Sequence, residues 1–319
     1  MDGFYFSRFL FSLEAVTSLQ LPSYKGSAIR GGFGHAFKKA VCASRNGDCS
    51  SCLLAASCVY LHVFETPAPD DSVLLRKHNV APHPFIFEPP LTPKYCFEPG
   101  EHLDIQLVLI GNSIDYLPYF IYAFEKFGKT GIGRKRGKFH VDRVIATSPE
   151  GLKDDISLIY DKTSKEYRPA KNTIHWSALL ANPPPTQLTL SFSTPVRLKY
   201  KGKLVNKLDF HILFRNLLRR ISLLSYYHCG YKLDDTHFRD LINKAKKINT
   251  IKNELQWKDW SRWSNRQKTK MKLGGLVGEI TYEGDLLPFW PYIRLGEYVH
   301  VGKGSSFGLG KYEVKGQAL

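Results

Sequence analysis

The run His102-Leu103-Asp104-Ile105-Gln106-Leu107-Val108-Leu109-Ile110 places apolar side chains at 103, 105, 107 and 109. A period of two is that of a half-buried strand. Just beyond it, Ser113 suits the N-cap of a helix running to Phe127, which Gly128 would end. A basic, glycine-rich turn follows, Gly131-Ile132-Gly133-Arg134-Lys135-Arg136-Gly137, and then a strand from Phe139 to Ala146. Upstream, Phe4 to Val16 suits a strand by its aromatic content. Lys25 to Cys42 suits a helix, because Ile29, Phe33, Phe37 and Val41 recur four apart on one face. A further strand is placed only loosely, near Pro84 to Glu88. The first half therefore reads β-α-β-β-α-β.

The second half repeats that order. Gln187 to Val196 alternates through Leu188, Leu190 and Phe192, and Leu208 to His228 is amphipathic through Leu213, Leu217, Ile221 and Leu224. Lys258 to Lys272 and Leu276 to Glu283 suit a pair of strands around Gly274-Gly275. A short helix over Leu286 to Leu295, a second glycine-rich loop and a strand from Lys311 to Val314 complete it. Two such halves predict an α+β chain of tandem ferredoxin-like domains. The expected division is 1–148, a linker over 149–185 that contains Pro183-Pro184-Pro185, and 186–319, with a Cys-rich insertion at 42–58 in the first domain. This topology resembles that of RNA-recognition domains, although a fold alone assigns no function.

Charge narrows the partner. The chain of 319 residues holds 45 Lys and Arg against 29 Asp and Glu, a formal charge of +16. The excess is concentrated. Lys126 to Arg143 carries seven basic residues and one acid, Arg197 to Arg220 eight and one, and Lys244 to Lys272 ten and two. Such runs fit a polyanion such as nucleic acid. A hydrophobic content of 43% excludes a disordered chain. No run of eighteen apolar residues exists, so no membrane partner is expected, and the apolar N-terminus reads as a strand and not as a signal peptide. A cytosolic location is the expectation.

Two motifs carry chemistry. In Gly302-Lys303-Gly304-Ser305-Ser306-Phe307-Gly308-Leu309-Gly310, four glycines in nine positions allow a tight bend whose amides, with Lys303, suit a phosphate. The spacing matches neither a Walker loop nor a dinucleotide fingerprint. The second motif is Cys42, Cys49, Cys52 and Cys58, built around Cys49-Ser50-Ser51-Cys52. In a cytosolic chain this spacing favours a metal over disulfides, with structural zinc first and an iron–sulfur cluster second. No cofactor is expected for catalysis.

Leu21 to His35, Gly131 to Arg136, Trp260 to Gln267 and the final glycine-rich loop together resemble the CRISPR-associated RAMP proteins. The combination is most similar to the RAMP endoribonucleases that process CRISPR precursor RNA. The likeness spans nearly the whole chain, and the final loop is its most specific part. It implies a metal-independent endoribonuclease that cuts CRISPR repeat RNA to release guide crRNA. In that reaction the 2′-hydroxyl attacks the adjacent phosphate and leaves a 2′,3′-cyclic phosphate and a 5′-hydroxyl. Some relatives instead hold guide RNA without cutting it, inside a CRISPR effector complex. Either way the partner is CRISPR repeat RNA or crRNA.

Such chemistry needs a base, an acid and positive charge on the phosphorane. Imidazole suits proton transfer near neutral pH. The resemblance points to His35 on the first helix, with Tyr24 or His300 as its counterpart and Lys303, Lys25 or Lys38 as the cation. Expected RNA contacts come from Lys25, Arg30, Arg134, Lys135, Arg136, Lys138, Arg262, Arg266 and Lys303, and from Gly302, Gly304, Gly308 and Gly310, whose backbone can approach the RNA closely. Trp257, Trp260 and Trp263 read first as core residues, because packing is the commoner use of tryptophan.

Overall fold

The computed structural model describes residues 3–44, 49, 51–66, 81–148, 156–169, 173–180, 182–233, 235–259, 261–264 and 269–315. It divides into two units, each an α+β fold. The N-terminal unit takes Tyr5–Ile174 with Tyr227–Cys229. The C-terminal unit takes His175–Tyr226 and Gly230–Leu319 with the first residues up to Phe4.

In the N-terminal unit the described elements are β1 (Tyr5–Ala15), α1 (Gly26–Val41), α2 (Val59–Phe64), β2 (Phe85–Glu88), β3 (His102–Ile110), α3 (Leu117–Thr130), β4 (Phe139–Thr147) and β5 (Ser157–Asp161). Their sheet runs β2-β3-β1-β4-β5 and is antiparallel throughout. The first strand is thus central, with Phe9 opposite Leu107 on one side and Ala146 on the other. The first four strands in that order are those of a ferredoxin-like unit. The loosely placed second strand is real. All four of its residues are buried, so it lacks the alternation that marks a half-solvated strand. The fifth strand falls inside the expected linker and corrects it: Val144 pairs with Tyr160 and Ile145 with Leu158.

Phenylalanine fills the space between helices and sheet. Phe33 of α1 lies 4.7 Å from Phe124, 4.9 Å from Phe87 and 5.2 Å from Phe120, ring centre to ring centre. These are favourable aromatic separations. Gly32 lets α1 approach α3, because a Cβ there would sit 2.2 Å from the Phe127 ring.

The C-terminal unit contains β6 (Gln187–Val196), α4 (Phe210–His228), α5 (Asp235–Ala245), β7 (Asn249–Asn253), β8 (Gln256–Lys258), β9 (Ser261–Ser264), β10 (Thr269–Lys272), β11 (Gly275–Glu283), α6 (Trp290–Val299) and β12 (Tyr312–Lys315). The order β7-β11-β6-β12 repeats the first unit's plan, again antiparallel, with β8 also pairing β11. The single strand expected from Lys258 to Lys272 is instead the end of β8 followed by a separate β9-β10 hairpin. The last helix lies four residues beyond its expected position, because Pro288 and Pro291 occupy its approach and first turn, where a missing N–H costs nothing.

Candidate RNA-processing site

The basic turn between α3 and β4 is rigid. Ile132 and Gly137 exchange backbone hydrogen bonds of 2.9 Å, and Arg134 N donates to Gln20 O at 3.3 Å. Gly133 has φ +78°, and a Cβ on it would meet Gln20 O at 2.0 Å, so glycine is required there. The turn is thereby fixed against residues 18–21, just before α1. Arg134, Lys135, Arg136 and Lys138 are all exposed, as RNA contacts require. Lys138 Nζ donates to Lys129 O at the end of α3.

His35 stands on the exposed face of α1. Among the described residues no hydrogen bond or ion pair holds its ring. Gly31 and Lys39, one turn away on either side, are exposed too, and the space beyond the Gly31 Cα is open. Arg30 lies with its guanidinium 5.1 Å from the Phe64 ring centre and Nη2 3.3 Å from His83 Nε2. Lys38 sits 5.0 Å from the Tyr60 ring centre. Two expected partners of His35 differ from the sequence reading. Lys25 is fully buried, its Nζ donating to Thr92 O at 2.9 Å, and burial pulls its ammonium pKa down. It anchors the loop and does not face a ligand. Burial, and then the Glu88 carboxylate, push the Tyr24 hydroxyl far above the ordinary tyrosine range. Tyr24 therefore keeps its proton at neutral pH.

The C-terminal loop brings a larger correction. Lys303 N donates to Arg197 O, Gly310 N to Pro195 O, Val301 N to Gly310 O, and Phe307, Gly308 and Leu309 donate within the loop. Those amides are spent internally and leave none of these six for a phosphate. Gly308 and Gly310 are buried, so they shape the bend and do not touch a ligand. A Cβ on Gly310, at φ +71°, would fall 1.9 Å from Val301 O. The loop's cation is the exposed Lys303 side chain.

His300 is fully buried, with Nδ1 3.3 Å from Leu309 O, and adopts φ +56°, ψ 172°. That backbone region is essentially glycine's own, and a side chain there stores about 1–3 kcal/mol of strain. His300 braces the loop and is not exposed to receive a substrate proton. Arg220, which sequence reasoning missed, donates Nε to Val299 O at 2.7 Å and so fixes the residue before His300. Lys199 and Arg197 were missed as well: with burial, they pull the Lys303 pKa down. Only the basic run from Arg197 signalled them.

Arg262 lies on β9 and Arg266 falls outside the described residues. Cys42, Cys49, Cys52 and Cys58 are partly exposed and form no disulfide among the described residues. Among the described residues no group of three His, Cys, Asp or Glu is placed to hold a metal, so the zinc assignment is not supported. Cys42 Sγ instead lies 3.9 Å from Ser44 Oγ. Sequence spacing reports proximity along the chain, whereas ligation needs four sulfurs at one point. Among the described residues, no helix is long and apolar enough to cross a membrane.

Two ferredoxin-like units, each with a bend of glycines and cations between its last helix and the strand that follows, define a RAMP-type fold. Residues 4–172 match the AF_1859_N family model, an N-terminal domain, and residues 190–312 match the model described as CRISPR-associated endoribonuclease Cas6. The chain belongs to the family of the AF_1859_N N-terminal domain, whose model spans just over half of it, and its C-terminal part is similar to the Cas6 family of CRISPR-associated endoribonucleases. An uncharacterized protein of Archaeoglobus fulgidus is 31% identical over 112 residues, 35% of this chain. The match spans 37% of that relative's length. Among solved structures, a Cas6 product complex superposes with a TM-score of 0.58 at 15% identity, covering 97% of this chain and 98% of the other. Thermus thermophilus Cas6 gives 0.53 at 14% identity, with 98% of each chain covered. A Cas6 substrate mimic complex gives 0.50 at 16%, over 98% and 99%. At these identities the likeness speaks for the fold.

Proposed function

We propose that this chain is an endoribonuclease that processes CRISPR repeat RNA, and that it does so by internal transesterification. The observation that carries the reading is His35: an exposed imidazole on the first helix of a Cas6-type chain, in the same unit as the exposed cations of the 131–138 turn. In the proposed step the ribose 2′-oxygen forms a bond to phosphorus as its proton passes to a base. The bond from phosphorus to the 5′-oxygen breaks, and that oxygen takes a proton from an acid. The products are a 2′,3′-cyclic phosphate and a 5′-hydroxyl. His35 is assigned one of the two proton transfers, worth about 10²–10⁴ in rate. Cations stabilise the charge that grows on the phosphorane.

Purified protein incubated with labelled repeat RNA in EDTA tests the reading. Cutting that survives the chelator and ends in a cyclic phosphate supports it. The variant His35→Ala is expected to bind RNA as before and to cut at least a hundredfold more slowly. Unchanged cutting by that variant removes His35 from the chemistry. Tight binding without cutting by the unaltered chain would make it a guide-RNA scaffold for an effector complex.

A further inference from the structure

The plan of the C-terminal sheet brings separate turns to one end. β6 leaves the sheet at Val196, opposite Leu276, the second residue of β11. The glycine loop enters β12 at that same end, with Gly310 N on Pro195 O and Lys303 N on Arg197 O. Between β6 and α4 the chain forms a small hairpin in which Lys199 pairs with Leu204 and Tyr200 with Lys203. Its tip, Lys201-Gly202, has φ of +48° and +83°, the paired positive values of a tight two-residue turn.

The hairpin is anchored. Val205 N donates to Leu198 O at 3.1 Å, and the Tyr200 ring packs edge-on against His211 of α4 at 5.7 Å. Lys199, Lys201, Lys203 and Lys207 are exposed, as is Lys303 across the gap. The acid of this stretch, Asp209, pairs with Lys207 and leaves the hairpin's lysines to themselves. Holding like charges together raises the free energy of the empty protein, and an anion relieves it. Burial lowers the Lys303 pKa most, and the neighbouring Lys199 and Arg197 lower it further.

We infer that the 199–204 hairpin is a phosphate-backbone rim, at which Lys199, Lys201 and Lys203 grip the RNA strand that passes Lys303. The rim rests on the RNA-processing reading, and it adds a contact outside both glycine-rich bends. It reads no base. Three ammonium groups on a rigid turn hold a run of phosphates whatever the sequence.

The test compares two triple variants of the full chain. One carries Lys199→Gln, Lys201→Gln and Lys203→Gln. The other carries Lys244→Gln, Lys246→Gln and Lys247→Gln, three exposed lysines at the opposite end of the sheet, where β7 begins beside Glu283 and Gln187. The probe is a 2′-O-methyl repeat RNA, which cannot be cut by its own hydroxyl. Affinity is measured from about 50 to 200 mM salt, and a thermal melt confirms that each variant is folded. Each phosphate contact adds about 0.7 to the slope of log affinity against log salt for a single strand. The hairpin variant is expected to lose about 2 from that slope, and the control none. An unchanged slope in the hairpin variant, or an equal loss in both, overturns the rim while leaving RNA binding in place. An unaltered chain that does not bind the RNA overturns the rim and the processing reading together.

Discussion

Gly31 and Gly32 are neighbours on α1, yet alanine at each has opposite expected effects. Mid-helix glycine costs about 1 kcal/mol relative to alanine. At Gly31 a Cβ meets nothing within 4 Å, so Gly31→Ala should gain nearly all of that amount. At Gly32 the Cβ falls 2.2 Å from two carbons of the Phe127 ring, against an ordinary separation of about 3.5–4.0 Å. The ring has nowhere to go: Phe127 is 3% exposed and packs edge-on against Phe139 at 5.3 Å. Overpacking of this kind costs about 1–3 kcal/mol, and here the required shift is large, so the upper end applies. After the helix gain, Gly32→Ala should lose about 2 kcal/mol, a gap of about 3 kcal/mol between the two variants. Urea unfolding followed by far-ultraviolet circular dichroism measures both, with the slope required to stay constant. Equal shifts of the same sign for both alanines would refute the packing argument.

Two further outcomes follow from buried or strained groups. Lys25 has its pKa lowered by burial, so between that value and about 10.5 the unfolded chain binds more protons than the folded one, and the contribution of Lys25 to stability rises with pH. The difference between the unaltered chain and Lys25→Met should therefore grow from neutral toward alkaline pH, and a flat difference in urea melts at several pH values would contradict it. Gly310→Ala should cost about 2–3 kcal/mol, from its positive φ and the loss of the Val301 and Pro195 cross-links, whereas Gly202→Ala, at φ +83° with nothing within 4 Å, should cost only about 1 kcal/mol. Melting of the two variants side by side decides it.

Alternation and four-residue spacing made much of the fold legible, because β3 and β6 each set one face on a core, and α1 and α4 do likewise. What escaped had a physical reason. Phe85–Glu88 is buried on both faces and shows no period. Ser157–Asp161 is an edge strand of five residues within an irregular stretch. The site was less legible, because residue type does not reveal burial. Lys25 and His300 look like surface chemistry in the sequence, yet both are buried, Lys25 on the distant Thr92 O and His300 on Leu309 O across its own loop. The glycine loop was located correctly, but its amides turn inward toward Pro195 and Arg197. The hairpin lysines at 199–203 were visible as charge without a place. Only the pairing of β6 with β11 and β12 gives them one.

The boundary between the units is crossed more than once by the chain. Tyr227–Cys229 lie beyond the stretch that makes up the rest of the N-terminal unit, and His228 supplies the carbonyl that faces Gly111 and a ring nitrogen 2.8 Å from Pro82 O. Phe4, at the other extreme, accepts a bond from Trp176 N and is counted with the C-terminal unit. A fragment ending at residue 174 would be deprived of a patch that only a later segment carries, and the complementary fragment would lack its opening residues. A ribosome must deliver residue 229 before the earlier half is whole.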